Sequence, residues 1–388
     1  MPQADGGSRW DELAFLPATL TRGVIEHYEP CDSRTVLGGR FARVPVELDI
    51  PLYIAPMGLG TLSPEEKVAL AIGAAMAGSA IGSGEGGMLA GERERSTRWM
   101  YQLAPGGFGI DPHHLLLADA VEIVVGRRSW VGIANPYDAV DLPSPERHGD
   151  WLGPDDLALK IQELREATDY RVPIQLKIGA SRVYEDVRMA AKCGPDSICL
   201  DGAEAGRYPG APVTVTAAGI PLIAAVPEAR RALEDVGLVD EVDLVVSGGI
   251  RTGADAAKVL ALGANAVAVG TAPLSALRNS EIVGPDEEAE VERAMDGAGG
   301  LDIEAGAARV CDFLTAATTE VQSLARACGK TRIASLEPED LTALTLETSA
   351  LAKVPLAGSN YIPGATEQQA LGELRDMLAQ RLGGDAGQ

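Results

Sequence analysis

The chain has 388 residues, and its 33 basic and 56 acidic side chains give a formal net charge of −23. This acidic balance disfavours nucleic acid and anionic membrane surfaces as partners, because both attract basic faces. The five cysteines are scattered without metal-ligand spacing, and the first residues lack the pattern of a signal peptide. We therefore expect a globular cytoplasmic protein without a metal site.

Eight short apolar runs predict eight strands. Most show no alternation of apolar and polar residues, which is typical of parallel strands that are buried on both faces. The predicted strands are residues 52–56, 79–83, 120–125, 174–178, 197–200, 221–225, 244–247 and 266–269. Helical patterns connect several of them, at 155–168, 182–193 and 254–262. Repeated strand–helix units of this number predict a (β/α)8 TIM barrel, with a doubly wound open sheet as the alternative.

The barrel prediction divides the chain into three parts: an N-terminal extension at 1–50, the barrel at 51–280 and a C-terminal helical extension at 281–388. In the last part, apolar spacing predicts a helix over 306–330, and an acidic first turn predicts another over 335–348. The stretch 68–84 is too weakly apolar for a membrane span and is predicted as a helix followed by a strand. A long proline-containing insertion follows the third predicted strand, a position typical of active-site loops.

Two glycine-containing loops predict a phosphate site. Gly248 and Gly249 follow the seventh predicted strand, and Gly270 and Thr271 follow the eighth. Glycines let backbone N–H groups approach an anion, and a following helix adds a favourable dipole. The loops after strands seven and eight are the usual phosphate site of this fold, although tight turns without a ligand are the alternative. Arg251 in the first loop is a further candidate cofactor-binding residue.

Lys177 lies inside an apolar strand, where an isolated charge would be costly. It either forms a salt bridge to Asp201 or Asp196 or faces an electron-rich cofactor ring. We favour the cofactor role, since lysines with perturbed pKa values cluster at functional sites.

Three further residues are candidates on the substrate side. Glu85 lies among glycines after the second predicted strand and is either an acid/base, an orienting group for a cationic substrate, or a solvated turn residue. Arg147 and His148 end the long insertion and are either carboxylate ligands or structural residues.

Long ordered stretches of the chain resemble the FMN-binding synthase domain of glutamate synthases, above all the archaeal-type subunits and the N-methylglutamate synthase subunit. These stretches include SGEGGMLAGERERS, VVSGGIRTGADAAKVLALGANAVAVGTA and RACGKTRIASLEPEDLTALTLETSALAKVPLAGSNYIPG. The resemblance implies FMN in the barrel mouth, with its phosphate on the glycine loops and Lys177 at the pyrimidine edge of the ring. It also implies a set of residues beside the ring, namely Pro56, Met57, Gly58, Gln102 and Asp201.

Several segments depart from the family pattern. RRSWVGIANP at 127–136 replaces a Lys-Pro-Gly-x-Gly-Gly loop that helps hold 2-oxoglutarate, and DGAEAGRYP at 201–209 replaces another glycine-rich stretch. Residues 272–300 contain no cysteine, so we expect no iron–sulfur cluster, and the start Met1-Pro2 offers no glutaminase nucleophile. Ordinary glutamate synthesis is therefore not expected.

We expect instead an FMN-dependent oxidoreductase that exchanges a hydride with a C–N or C–C bond of a small anionic, amino-acid-like substrate. Lys177 would stabilise negative charge on the reduced ring, and Glu85 would transfer a proton on the substrate side. Arg127 and Arg207 would supply positive charge, and Trp130, Tyr137 and Tyr208 would supply aromatic walls; the alternative for each of them is loop packing or solvent exposure. An electron donor or an amidotransferase is a possible partner, and a homo-oligomer is expected. The alternatives are a non-redox isomerase or lyase that uses FMN, and a non-catalytic partner subunit.

Overall fold

A closed barrel of eight parallel strands forms the centre of the protein. The computed structural model describes residues 8–59, 62–107, 109–125, 147–205, 218–279 and 301–364, and the backbone of 132–134 and 141–143. Around the barrel, the strands are β4 (Leu52–Ile54), β5 (Ile81–Gly82), β6 (Trp99–Leu103), β7 (Ala120–Val125), β10 (Ile174–Gly179), β11 (Ser197–Asp201), β12 (Asp243–Ser247) and β13 (Ala266–Val269). β13 pairs with β4 and closes the barrel, so the (β/α)8 prediction is confirmed.

Ten α-helices lie in the described residues, most of them between successive barrel strands. They are α1 (Pro64–Met76), α2 (Ala90–Arg95), α3 (Pro112–Leu117), α4 (Pro154–Ala167), α5 (Val183–Lys192), α6 (Leu222–Asp235), α7 (Gly253–Ala261), α8 (Thr271–Arg278), α9 (Ile303–Ala327) and α10 (Leu346–Ala352). The predicted connectors correspond to α4, α5 and α7, and the predicted helix-to-strand stretch at 68–84 corresponds to α1 and β5. None of the helices in the described part of the chain is long and apolar enough to cross a membrane.

One predicted strand is wrong and one strand was missed. Residues 221–225 form the start of α6, in which Leu222, Ile223 and Ala225 are fully buried. A short apolar run is compatible with a buried helix as well as with a buried strand, so the pattern of residues 221–225 does not decide between the two. The missed strand is β6, which is the third in the barrel. The long insertion therefore follows the fourth strand, β7, while β12 and β13 keep their predicted places as seventh and eighth.

The predicted helix at 335–348 is also wrong. This region contains two short 3-10 turns, the strand β14 (Leu341–Ala343) and the start of α10. β14 pairs with β1 (Leu13–Phe15) near the start of the chain, and buried Asp340 pairs with Arg22 and lies 3.7 Å from Lys330 Nζ. These tertiary contacts override the helix-starting signal of the acidic turn.

A hairpin covers the amino-terminal end of the barrel. Its strands are β2 (Thr35–Leu37) and β3 (Val46–Leu48), and their apolar side chains join the cluster inside the barrel. The Gly38 N–H donates to Asp243 Oδ2 at 2.7 Å, and the Phe41 N–H donates to Asp196 Oδ1 at 2.8 Å. The hairpin is thus fastened to the starts of two barrel strands, which leaves the opposite end for a site.

The long helix α9 packs on the outside of the barrel. It packs against α1, α7 and α8, and buries Val310, Leu314 and Val321. A Cβ at Gly73 would lie 2.6 Å from Val310 Cβ, so α1 and α9 approach closely only because this position is glycine. The predicted helix over 306–330 is confirmed with slightly earlier ends. The remaining short pair, β8 (Gly132–Ala134) and β9 (Asp141–Pro143), belongs to the insertion.

Asp243 makes the hairpin contact sensitive to pH. Burial raises the pKa of its carboxyl from 3.8 to about 6; the Gly38 N–H opposes this rise and Asp196 adds to it. The folded state therefore holds this proton more tightly than the unfolded chain, and the associated stability is lost as pH rises through about 6.

Relative to Asp243→Asn, the parent protein should lose up to about 3 kcal/mol of unfolding free energy between about pH 4 and about pH 7. Urea unfolding at both pH values measures this, with exposed Asp240→Asn as control; equal pH dependence in parent and Asp243→Asn would contradict it.

Candidate functional site

A buried cation lies at the carboxyl end of the fifth barrel strand. Lys177 of β10 is 9% exposed, and its Nζ lies 3.4 Å from Asp201 Oδ1 at the end of β11. Burial opposes the charge, but the carboxylates of Asp201 and Glu122 outweigh it and raise the pKa of Lys177 overall. The lysine is therefore a fixed positive charge. The predicted salt bridge to Asp201 is present, whereas Asp196 pairs with Arg165 at the other end of the barrel.

Beneath this cation, a fully buried carboxylate organises the barrel interior. Glu122 of β7 accepts hydrogen bonds from Gln102 Nε2 at 2.7 Å and from Gln175 Nε2 at 2.6 Å. Gln175 Oε1 in turn accepts from Ser197 Oγ at 3.1 Å. An unpaired carboxylate would be very costly here, so both amides are held in one orientation. Sequence reasoning missed Glu122 and Gln175, although each is a polar residue inside an apolar strand, as Lys177 is.

The loops after the first two barrel strands pack backbone against backbone. Gly84 has φ +69°, and a Cβ there would lie 2.2 Å from Gly58 N. A Cβ at Gly58 would lie 2.4 Å from Glu85 O. Glu85 is only 8% exposed, so the solvated-turn alternative does not describe it. The loops that carry Pro56, Met57, Gly58 and Glu85 thus form one rigid edge of the mouth.

The loop after the third strand joins this edge in the same way. A Cβ at Gly87 would lie 2.6 Å from Gly109 O. Tyr101 of β6 donates its hydroxyl to Gly109 O at 2.9 Å and accepts from the Asp111 N–H at 3.1 Å. Gln102, the next residue, extends to Glu122 instead.

The glycine turns after β12 and β13 offer backbone donors of two kinds. Gly248 and Gly249 both have positive φ, and a Cβ at Gly249 would lie 2.8 Å from Glu204 Cβ. Helix α7 is capped by the Thr252 side chain, which accepts from the Asp255 N–H. Helix α8 begins after Gly270, which has no side chain to cap it. The N–H groups at Gly270 and Thr271 are therefore the better anion donors of the two helix starts.

Arg251 lies in the first of these turns but is bound to other groups. Its Nε lies 3.1 Å from Asp255 Oδ2 and its Nη2 lies 3.4 Å from Asp11 Oδ1. Its guanidinium thus joins α7 to the N-terminal segment, and its cofactor contact stays a prediction.

On the substrate side, the structure describes two of the four predicted residues. His148 is buried at the end of β7, with Nε2 2.8 Å from Val124 O and its ring stacked on Trp151. Arg147 beside it is exposed. Arg127 and Arg207 lie outside the described residues, as do the predicted aromatic walls Trp130, Tyr137 and Tyr208. Among the described residues, no cluster of three His, Cys, Asp or Glu side chains could hold a metal ion.

Known proteins match this chain over the residues that form the barrel. The family model for the conserved region in glutamate synthase matches residues 32–282. A glutamate synthase large subunit-like protein of Rhizobium meliloti is 42% identical over 92% of this chain and 89% of its own length. The archaeal glutamate synthase [NADPH] of Archaeoglobus fulgidus is 30% identical over 69% of this chain, but the match spans only 60% of that protein.

Solved structures share the fold at lower identity. A flavocytochrome b2 variant with bound sulfite superposes with a TM-score of 0.58 at 21% identity, covering 91% of this chain and 80% of that one. A mandelate oxidase variant carrying an FMN adduct gives 0.55 at 21% identity, covering 84% and 87%. At these identities, the likeness shows a shared fold alone.

The backbone contact at Gly84 provides a test of the mouth edge. Gly84→Ala should destabilise the protein by about 1–3 kcal/mol more than Gly107→Ala, because the added methyl group meets the backbone of Gly58. Gly107 is a matched control, since its φ is +66° and its added Cβ would meet only Ile110 Cδ1 at 3.9 Å. Urea unfolding of both variants measures the difference, and equal losses would show that the two loops do not touch as described.

Proposed function

The chain belongs to the glutamate synthase family, and from this premise we propose that it is an FMN-dependent oxidoreductase that acts on a small anionic, amino-acid-like substrate. The observation that carries the proposal is the fixed ammonium of Lys177 at the barrel mouth, since a buried cation there suits a ring that gains negative charge.

The residues at the mouth fit FMN at both of its ends. The backbone N–H groups of Gly248 and Gly249 and those at the uncapped start of α8 suit the phosphate. At the other end, Lys177 and the Gln102 amide, which is held by Glu122, suit the polar edge of the ring. Pro56, Met57 and Gly58 are each partly exposed at the mouth, so their loop is available to lie against the ring. When bound, FMN supplies a hydride acceptor or donor.

Residues of the chain itself are proposed to hold charge, move a proton and bind the substrate. Lys177 holds positive charge and needs no proton transfer, because its pKa is raised by Asp201 and Glu122. Glu85 is the candidate for moving a proton at its carboxyl group, and its backbone packs closely against Gly58. His148 and Arg147, together with Arg127 and Arg207, are proposed to bind the substrate carboxylate.

We propose a reaction other than ordinary glutamate synthesis, because the segment at 127–136 replaces the family's loop that helps hold 2-oxoglutarate, and the segment at 201–209 replaces another glycine-rich stretch. Residues 272–300 lack the cysteines of an iron–sulfur cluster, so electrons would come from or pass to a separate partner. The relative from Rhizobium meliloti is described as large subunit-like, which supports a partner chain. A homo-oligomer and a cytoplasmic location stay predictions.

Comparison of FMN with riboflavin tests the phosphate site. The purified chain should bind FMN at least about 100-fold more tightly than riboflavin, since two charge-assisted hydrogen bonds of about 1.5–3 kcal/mol each would be lost. Gly270→Asp should weaken FMN and leave riboflavin nearly unchanged, because its carboxylate would repel the phosphate. Gly39→Asp in the hairpin at the other end of the barrel is the control. Titration of flavin fluorescence measures the affinity of each of the three proteins for both flavins; absence of FMN binding to the parent, or its equal affinity for both flavins, would contradict the proposal.

Removal of the cation tests the ring contact. Lys177→Met should lower the two-electron midpoint potential of bound FMN by about 30–60 mV, because negative charge on the ring loses its nearest positive group. Lys258→Met is the control, since this lysine on α7 donates to Trp10 O at 2.7 Å. Lys177→Met/Asp201→Asn keeps the interior nearer to neutrality if the single variant folds poorly. Spectroscopic titration measures these potentials. If the potential of FMN bound to Lys177→Met equals that of the parent, Lys177 does not act on the ring.

A further inference from the structure

A second buried lysine lies behind the mouth, on the first helix of the barrel. Lys67 of α1 is 1% exposed. Its ammonium donates to Met57 O at 2.9 Å and to Ser83 O at 2.6 Å, and it lies 3.1 Å from Glu92 Oε1. A lysine ammonium has three N–H donors, and three oxygens surround this one. The arrangement is a complete shell and leaves the lysine no direct access to a ligand.

The two carbonyl groups belong to the loops that form the rigid edge of the mouth. Met57 lies in the loop after β4, and Ser83 begins the loop after β5. They flank the place where Gly58 and Gly84 meet through their backbones. Since glycines supply no side-chain contacts to hold such a joint, the shared ammonium provides a polar link that joins the two loops from within.

The counter-charge of Lys67 is equally buried. Glu92 of α2 is fully buried, and burial raises the pKa of its carboxyl while it lowers the pKa of Lys67. Buried ion pairs of this kind contribute little net stability, and apolar replacements of both partners are often neutral. A gain in folding stability is therefore a weak explanation for the presence of the Lys67–Glu92 pair. The position of the Met57 and Ser83 carbonyl groups, which Lys67 binds, is a stronger explanation.

We infer that Lys67 is a positioning residue of the active site, whose ammonium fixes the spacing of the loops 56–58 and 83–87, with Glu92 as its counter-ion. The inference rests on the proposed function in so far as these loops are taken to bind FMN and to carry Glu85. Lys67 acts through Met57 and Ser83 and touches neither the cofactor nor the substrate.

The test removes both charges together, so that no buried ion is left unpaired. Lys67→Met/Glu92→Leu should weaken FMN binding about 10- to 100-fold, because two loops lose bonds to a charged donor. In the cofactor-free chain, peptides covering 55–59 and 83–87 should exchange their amide hydrogens faster than in the parent, while the central strands stay protected.

A matched control comes from the other end of the barrel. Arg165 Nη1 lies 2.8 Å from Asp196 Oδ2, and both side chains are buried as deeply as the Lys67–Glu92 pair. Arg165→Met/Asp196→Asn should change unfolding but leave FMN affinity within about twofold of the parent, since binding energy is unaffected by a distant pair. This control separates loss of positioning from a general loss of stability.

The outcomes distinguish the inference from the proposed function. Faster exchange in both loops together with weaker FMN binding supports it. Unchanged FMN affinity, or weakening equal to that of the control, overturns it, whatever the unfolding free energy does. If the parent protein bound no FMN, the proposed function would fail, and unchanged exchange in the two loops would then overturn the positioning role by itself.

Discussion

The barrel depends on one electrostatic constraint, which is that a carboxylate inside a closed sheet must be surrounded by donors. Glu122 meets this constraint through two amide groups and the nearby charge of Lys177. Three consecutive barrel strands, β6, β7 and β10, thereby share a polar network inside a barrel that also holds an apolar cluster. The same network delivers an oriented amide and a fixed cation to the mouth, so the interior that stabilises the barrel also prepares the site.

Much of the fold was predictable because parallel strands buried on both faces produce apolar runs that stand out in the sequence. The error at residues 221–225 shows the limit of this signal, since Pro-Leu-Ile-Ala-Ala suits a buried helix start as well as a strand. The strand Trp99–Leu103 was missed because it follows the charged stretch of α2 and contains Gln102. Its aromatic residues, Trp99 and Tyr101, were the signal that could have identified it.

The site was predictable where chemistry shows in single residues or short motifs. Lys177 and the glycine turns stood out because a charge in an apolar strand and paired glycines are conspicuous. Lys67 and Glu92 did not, because helices α1 and α2 carry several charges and nothing in their order reveals which ones turn inward. Glu122 carried the same signal as Lys177, a charge inside an apolar strand, and was nevertheless missed. Pairings such as Arg251 with Asp11 join residues far apart in the chain, and only the folded structure brings them together.

The joint of Gly58, Gly84, Gly87 and Gly109 has an evolutionary consequence. Because these loops meet through main-chain atoms, the frame of the mouth leaves no room for a methyl group at the joint. Substrate preference can then diverge in the segments that follow β7 and β11 while the frame stays constant. A family built on such a frame can acquire new reactions by rewriting two loops and leaving its flavin chemistry intact.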